Sequence, residues 1–259
     1  MRFQMSIRFI LLIVCLTMMI ASAKADMNKG IELYQQRQEG SKGTLASVKN
    51  INMAIEQFKL ALLKQEYEKD AALYLLKSYY YIAEFAAMDE NEKKIFFNRG
   101  KALGEKFIEK YPNSPEFRYW YLVNLGSWAQ VYGILRAARE GVSTLMKIHS
   151  EKIIELDPKY QDGGGYFMLG AVHYKSPYIP FLLSWPDNDK AIKYLQMSLD
   201  IGKPKVNQKV YMAQALTKDR QIDKAKKILN EVINSKPDPT HLVEELDYIE
   251  QAHQLLKDF

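Results

Sequence analysis

From residue 27 onward the apolar positions recur every three or four residues, and no run alternates with the two-residue rhythm of a strand. Breakers divide this pattern into paired helices. The clearest stretch is Leu156 to Tyr194. There a helix ends in Leu-Asp-Pro, a glycine turn leads into a second helix, and an aromatic-rich insertion precedes a third. The spacing predicts the pairs 27–39 with 50–65, 68–88 with 91–110, 115–138 with 142–156, 164–175 with 187–201, and 206–217 with 221–235. Residues 238–259 supply a last helix, with Pro239 in its first turn and Leu242, Leu246, Ile249, Ala252, Leu255 and Leu256 on one side.

Small residues set how closely such helices approach. Ala54, Phe58 and Ala61 make a small–aromatic–small stripe at helical spacing, and Ala225, Leu229 and Val232 make another near the far end. The tetratricopeptide repeat (TPR) carries such a stripe on its second helix, so the chain resembles an all-α, TPR-like α-solenoid of about five hairpins with a C-terminal capping helix. Pro112, Pro158 and Pro204 fall 46 residues apart and Pro237 follows 33 later. TPRs repeat at about 34 residues, which implies longer early units and a standard last one; armadillo and HEAT repeats, with periods in the 40s, are the structural rival.

The N-terminus is read separately. Arg2 and Arg8 precede the apolar run Phe9 to Ala21, and Ala21-Ser22-Ala23 and Ala23-Lys24-Ala25 offer small-x-small cleavage sites, so residues 1–25 read as a signal peptide and 26–259 as the repeat domain. On that reading the domain is periplasmic or secreted and contains no cysteine, since Cys15 lies in the apolar run. The run is shorter than the roughly 20 residues of a membrane-spanning helix. Removing Arg2, Arg8 and Lys24 from the 36 basic and 31 acidic residues leaves 33 against 31, which gives no footprint for nucleic acid.

Candidate chemistry is sparse. The glycine run after Asp162 lacks the Gly-Lys-Ser/Thr of a phosphate loop and any preceding strand, so it reads as an inter-repeat turn. His149, His173, His241 and His253 are scattered without metal-ligand spacing, and no nucleophile elbow occurs. The expectation is a non-enzymatic protein with no catalytic residue, metal or cofactor. Aromatics are the unusual feature, at 12% of the chain. Successive helical residues lie about 100° apart, so Tyr79, Tyr80 and Tyr81 cannot all face one core. Aligning Leu125-Gly126, Leu169-Gly170 and Met212-Ala213 as equivalent positions sends Trp120, Gln130, Phe167, Tyr174, Asn207 and Gln214 into the concave groove. The insertion Lys175 to Asn188 carries three prolines with Tyr178, Phe181 and Trp185, too apolar for a solvated loop. Trp185 is its expected anchor, either plugging the adjacent hairpin or lining the mouth of the groove.

Leu156-Asp157-Pro158, the turn Gly163 to Gly165, Leu169-Gly170, the insertion Pro177 to Pro186, and Lys190-Ala191 with Tyr194-Leu195 together resemble the T component of tripartite ATP-independent periplasmic (TRAP) transporters, and Leu125 to Gly133 adds a glycine- and tryptophan-containing helix. That resemblance implies an exported accessory that binds a periplasmic substrate-binding protein or a small apolar ligand, and a homotrimer around a pore. The chain departs from the family in having no lipobox at Cys15. The alternative expectation is a cell-envelope assembly scaffold of the same fold without a transport role.

Overall fold

A computed structural model describes residues 26–181 and 183–259; the expected signal peptide, residues 1–25, lies outside them. Among the described residues there are twelve α-helices and no β-strand. They are α1 (Met27–Gln35), α2 (Val48–Leu62), α3 (Glu68–Tyr81), α4 (Glu90–Lys110), α5 (Pro115–Tyr132) and α6 (Ile134–Arg139). The rest are α7 (Val142–Leu156), α8 (Gly164–Lys175), α9 (Asn188–Asp200), α10 (Val206–Lys218), α11 (Ile222–Ile233) and α12 (Leu242–Lys257).

Local chemistry sets the starts. Asp26, Asp89 and Asp187 accept hydrogen bonds from the backbone N–H three residues on, at 2.9, 2.9 and 3.0 Å, and Ser114 caps α5 ahead of Pro115. The small–aromatic–small stripes are fully buried, as expected of residues that let two helices touch. The sequence pairing differs from the structure in two places. Helix α3 ends in a π-helical turn, Ile82–Ala86, and the helix expected over 115–138 breaks at Gly133. Gly133 has φ +84°, a conformation L side chains rarely adopt, and the short α6 restarts beyond it.

Five hairpins result: α1/α2, α3/α4, α5/α7, α8/α9 and α10/α11, capped by α12. Each second helix also packs on the first helix of the next hairpin, and the first helices α1, α3, α5, α8, α10 and α12 touch in series. This is a TPR-like solenoid with the first helices forming its inner wall.

The array also closes on itself. Arg37, just past α1, donates from Nη2 to Glu244 Oε1 at 2.6 Å and to the Thr240 carbonyl at 2.7 Å, and from Nε to Glu244 Oε1 at 3.1 Å. Its guanidinium lies 4.7 Å from the Tyr34 ring and 5.0 Å from the Tyr81 ring. Gln38 Nε2 donates to the Pro239 carbonyl at 2.8 Å. Val243 of α12 is fully buried in the apolar core of α1, α2 and α3 rather than in the core of the later repeats. The cap thus belongs to both ends of the chain.

Candidate functional site: an aromatic chamber inside the solenoid

Curling six inner helices into a closed turn leaves a chamber of about 1420 Å³. Each inner helix contributes an aromatic to its wall: Tyr34, Tyr80, Trp120, Phe167, Tyr211 and Tyr248. Most small-molecule sites fall between about 300 and 1,000 Å³, so this one has room for a long or branched molecule. The C-terminal ends of α5 and α8 border one end, through Gly133 and Ser176 to Pro177. The N-terminal ends of α8, α10 and α12 border the other, through Gln161, Lys203 to Lys205 and Pro237 to Pro239.

The aromatics contact one another across repeats. Tyr80 lies 6.3 Å from Trp120 and meets Phe85 edge-on at 5.8 Å, and Phe167 meets Tyr211 edge-on at 5.2 Å. Burial, then Glu84, raises the phenol pKa of Tyr211 to about 12; burial, then Tyr248, raises that of Tyr80, and burial, then Tyr211, that of Tyr248, both well above the usual value. Burial likewise raises the carboxyl pKa of Glu84, in the π turn. The stretch of wall formed by these tyrosines is therefore polar yet resists carrying negative charge, while Asp162, Glu231, Asp238, Glu244 and Glu245 line other parts.

Against that background the cations divide into two groups. At the N-terminal end of the chamber, Lys205 pairs with Asp162 at 3.3 Å and Lys209 with Glu231 at 3.0 Å. Of the lining lysines without an ion pair among the described residues, Lys175, Lys203 and Lys236 are exposed, whereas Lys77 on α3 is half-buried. Its Nζ sits 4.8 Å from the Tyr74 ring centroid and 5.7 Å from that of Trp120. Burial, then the nearby Arg37, lower its pKa against the opposing charges of Asp70 and Glu116. A half-buried ammonium held over two aromatic faces, in ion-pair contact with no carboxylate among the described residues, presents positive charge to the chamber.

The expected groove residues divide as well. Trp120, Gln130, Phe167 and Asn207 line the chamber. Tyr174, Trp185 and Gln214 do not. Tyr174 lies outside the wall, 6.4 Å from Tyr211 and beneath the ammonium groups of Lys175 and Lys218. Gln214 turns into the protein, its Oε1 buried without a hydrogen-bond partner. Trp185 meets His173 edge-on at 4.9 Å, with Lys147 Nζ 5.2 Å from its ring, so it fastens the insertion to α7 and α8 while the buried Leu183 reaches the chamber. Lys77 and Tyr248 were not expected from the sequence, and Tyr80 was expected only as one of the three successive tyrosines that cannot all face one core. Lys77 and Tyr80 stand three apart on one helix face, and that lysine within an aromatic helix was the available signal.

No group of three or more His, Cys, Asp or Glu side chains among the described residues is placed to hold a metal ion. Burial, with Arg118 beside it, lowers the His149 pKa to about 4; burial, with Lys190 nearby, does the same for His173. Both imidazoles are neutral at pH 7. His149 Nδ1 lies 2.6 Å from Arg118 Nη1, and both rings serve as packed side chains.

Comparison with known proteins corrects the transporter expectation. The profile of the family described as regulator of microtubule dynamics protein 1-3 matches residues 34–182, from α1 through α8 into the insertion. No curated protein matches the chain. The match overturns the resemblance to the TRAP T component, and with it the role as a periplasmic accessory to TRAP-type uptake and the reading of an exported protein with a signal peptide. The Leu-Asp-Pro, glycine-turn and Lys-Ala features that carried the resemblance are those of a TPR-like hairpin, and they serve that packing whatever the repeat protein does. Covering more than half of the residues and the greater part of the chamber's inner wall, the match establishes that this chain belongs to the regulator of microtubule dynamics protein 1-3 family.

Proposed function

We propose that this protein is a non-enzymatic carrier or sensor that encloses an elongated amphipathic molecule with an acidic end. The observation that supports this most is Lys77, a half-buried cation with no ion pair among the described residues, in an aromatic and aliphatic part of the chamber. An apolar molecule alone would leave that ammonium without a counter-ion. A carboxylate or phosphate on an apolar tail answers both halves of the wall, the head at Lys77 and the tail along Tyr80, Trp120, Phe167 and Tyr211.

Oleate and oleyl alcohol share a tail and differ at the head, so they test this directly. Oleate is expected to displace a fluorescent polyene fatty acid from the protein, and oleyl alcohol to do so at least about tenfold less well, since a hydrogen-bonded charge contributes roughly 1.5–3 kcal/mol. Lys77→Met is expected to erase that preference while leaving a neutral dye, Nile red, bound as before. Oleate binding with equal strength to wild type and Lys77→Met would refute the assignment of the acidic end.

Membership of the family supplies a second reading, action in the regulation of microtubule dynamics as its description states. On that reading the outer faces of the second helices meet a protein partner while the chamber stays internal. Turbidity of polymerising tubulin is expected to change in rate or plateau when the protein is added. Curves that superimpose with and without it would remove this reading.

A further inference from the structure

Two short segments at one end of the chamber carry large apolar side chains that face outward. Helix α6 has no buried residue, and its Ile134 and Leu135 are 61% and 77% exposed. Across from it the insertion after α8 makes a tight turn. Ile179 and Leu183 exchange two backbone hydrogen bonds of 2.8 Å, and Phe181 between them has φ +64° and a fully exposed ring at 107%. Tyr178, on the same turn, is 64% exposed. A side chain in left-handed backbone conformation with no protein against it is held outward by the fold rather than left over from packing.

The two segments belong to one rim. Ile134, Ser176, Pro177 and Leu183 border the same end of the chamber, and Ser176 Oγ donates to Ser143 Oγ at 2.8 Å, tying the end of α8 to the start of α7 just beyond α6. Basic residues lie on the same rim. Arg139 and Lys175 are exposed and form no ion pair among the described residues, while Arg136 shares Glu140 with Lys101. Large exposed apolar side chains grouped in this way mark a contact surface.

We propose that this rim docks on an anionic lipid bilayer, with Leu135 and Phe181 entering the headgroup region and Arg139 and Lys175 meeting lipid phosphates. Shape decides against a protein groove as the occupant. The apolar side chains protrude from two separate segments around an opening, so a rigid partner would need two matched pits on either side of a gap. A bilayer is flat, deformable and apolar just below its charged surface, and it accommodates separate protrusions flanked by cations. The chamber mouth then faces the lipid. The inference does not require that the chamber hold an amphiphile.

The test uses the full chain with vesicles of phosphatidylcholine alone and of phosphatidylcholine mixed with phosphatidylserine. The protein is expected to co-sediment with the mixed vesicles, less so at high salt, and Leu135→Asp with Phe181→Asp to weaken that partition at least about tenfold. Both side chains are exposed, so the double variant keeps its fold and its oleate displacement, which separates failure of docking from failure of the chamber reading. A local readout guards against attachment through another part of the chain. Phe181→Trp is expected to gain fluorescence that brominated phosphatidylcholine quenches beyond the quenching of wild type. Co-sedimentation unchanged in the double variant would overturn the proposal. So would absence of extra quenching in Phe181→Trp, or a dimer in vesicle-free solution that Phe181→Asp dissolves, which would assign the rim to a second copy of the chain.

Discussion

Glu244→Ala is expected to lower the unfolding free energy by about 3–5 kcal/mol, the range for removing one partner of a buried ion pair. The reason lies at the other partner. The Arg37 side chain is only 5% exposed, and in the variant it would keep the Thr240 and Tyr34 carbonyls but lose the one carboxylate that pairs with it among the described residues. Burial alone lowers the pKa of Arg37, and Tyr34 together with Glu244 more than offsets this, so the net direction is upward. Without Glu244 the burial of the guanidinium is less well offset. The damage should also spread, because Glu244 sits one residue from Val243, which is embedded in the first repeats. Urea unfolding of the variant measures the loss. The pair Arg37→Met with Glu244→Leu should recover much of it, since an apolar pair of similar volume leaves no unpaired charge. A change below about 1 kcal/mol in Glu244→Ala would mean that the contact is peripheral to stability.

The second large effect is expected at the crossing of α8 and α9. A Cβ added at Gly170 would lie 2.7 Å from Leu195 Cγ, 3.0 Å from the Leu195 amide nitrogen and 3.1 Å from the Ala191 carbonyl oxygen. Two of those neighbours are backbone, so the helices themselves must separate. Gly170→Val is expected to destabilise by about 1–3 kcal/mol or more through overpacking, and Ala191→Leu, on the facing helix, by a similar amount. The two should not add, because either one already opens the crossing. Gly126 provides the opposite sign. Its added Cβ meets only Met146 Cε, at 3.7 Å, so Gly126→Ala should stabilise α5 by about 0.5–1 kcal/mol. Thermal melts of the three variants check the set, and an unchanged melting temperature in Gly170→Val would show that the crossing is looser than its geometry.

These contacts mark how far the sequence could be read. Helix boundaries were legible because their causes are local: Asp89, Ser114 and Asp187 are caps, Pro115 opens a helix, and the Ala54–Phe58–Ala61 stripe repeats with the helical period. Gly133 was not legible as a break, since glycine also sits inside α4, α5 and α8, and only its backbone angle distinguishes it. The groove register reached Trp120, Gln130, Phe167 and Asn207, where the repeat alignment alone decides direction. It failed at Tyr174 and Gln214, each seven residues beyond a chamber residue on its own helix; at the end of α8 the neighbouring Lys175 and Ser176 line the chamber instead. Nothing local announced Arg37 with Glu244, which are 207 residues apart and become partners only when five hairpins add their turns. The family was hidden for a related reason: the residues that make a TPR-like hairpin pack are shared by proteins with different roles.

The contact between Arg37 and Glu244 has a bearing on how this protein can vary. Most helical-repeat arrays lengthen or shorten by whole units, because each unit answers only to its neighbours. Here the total rotation of five hairpins must return α12 to α1, as the closing of a bracelet fixes its number of links. A sixth hairpin, or a fourth without the fifth, would carry the clasp past its mate and leave a charged residue facing the wrong wall. Repeat number in this chain is set by geometry at the seam.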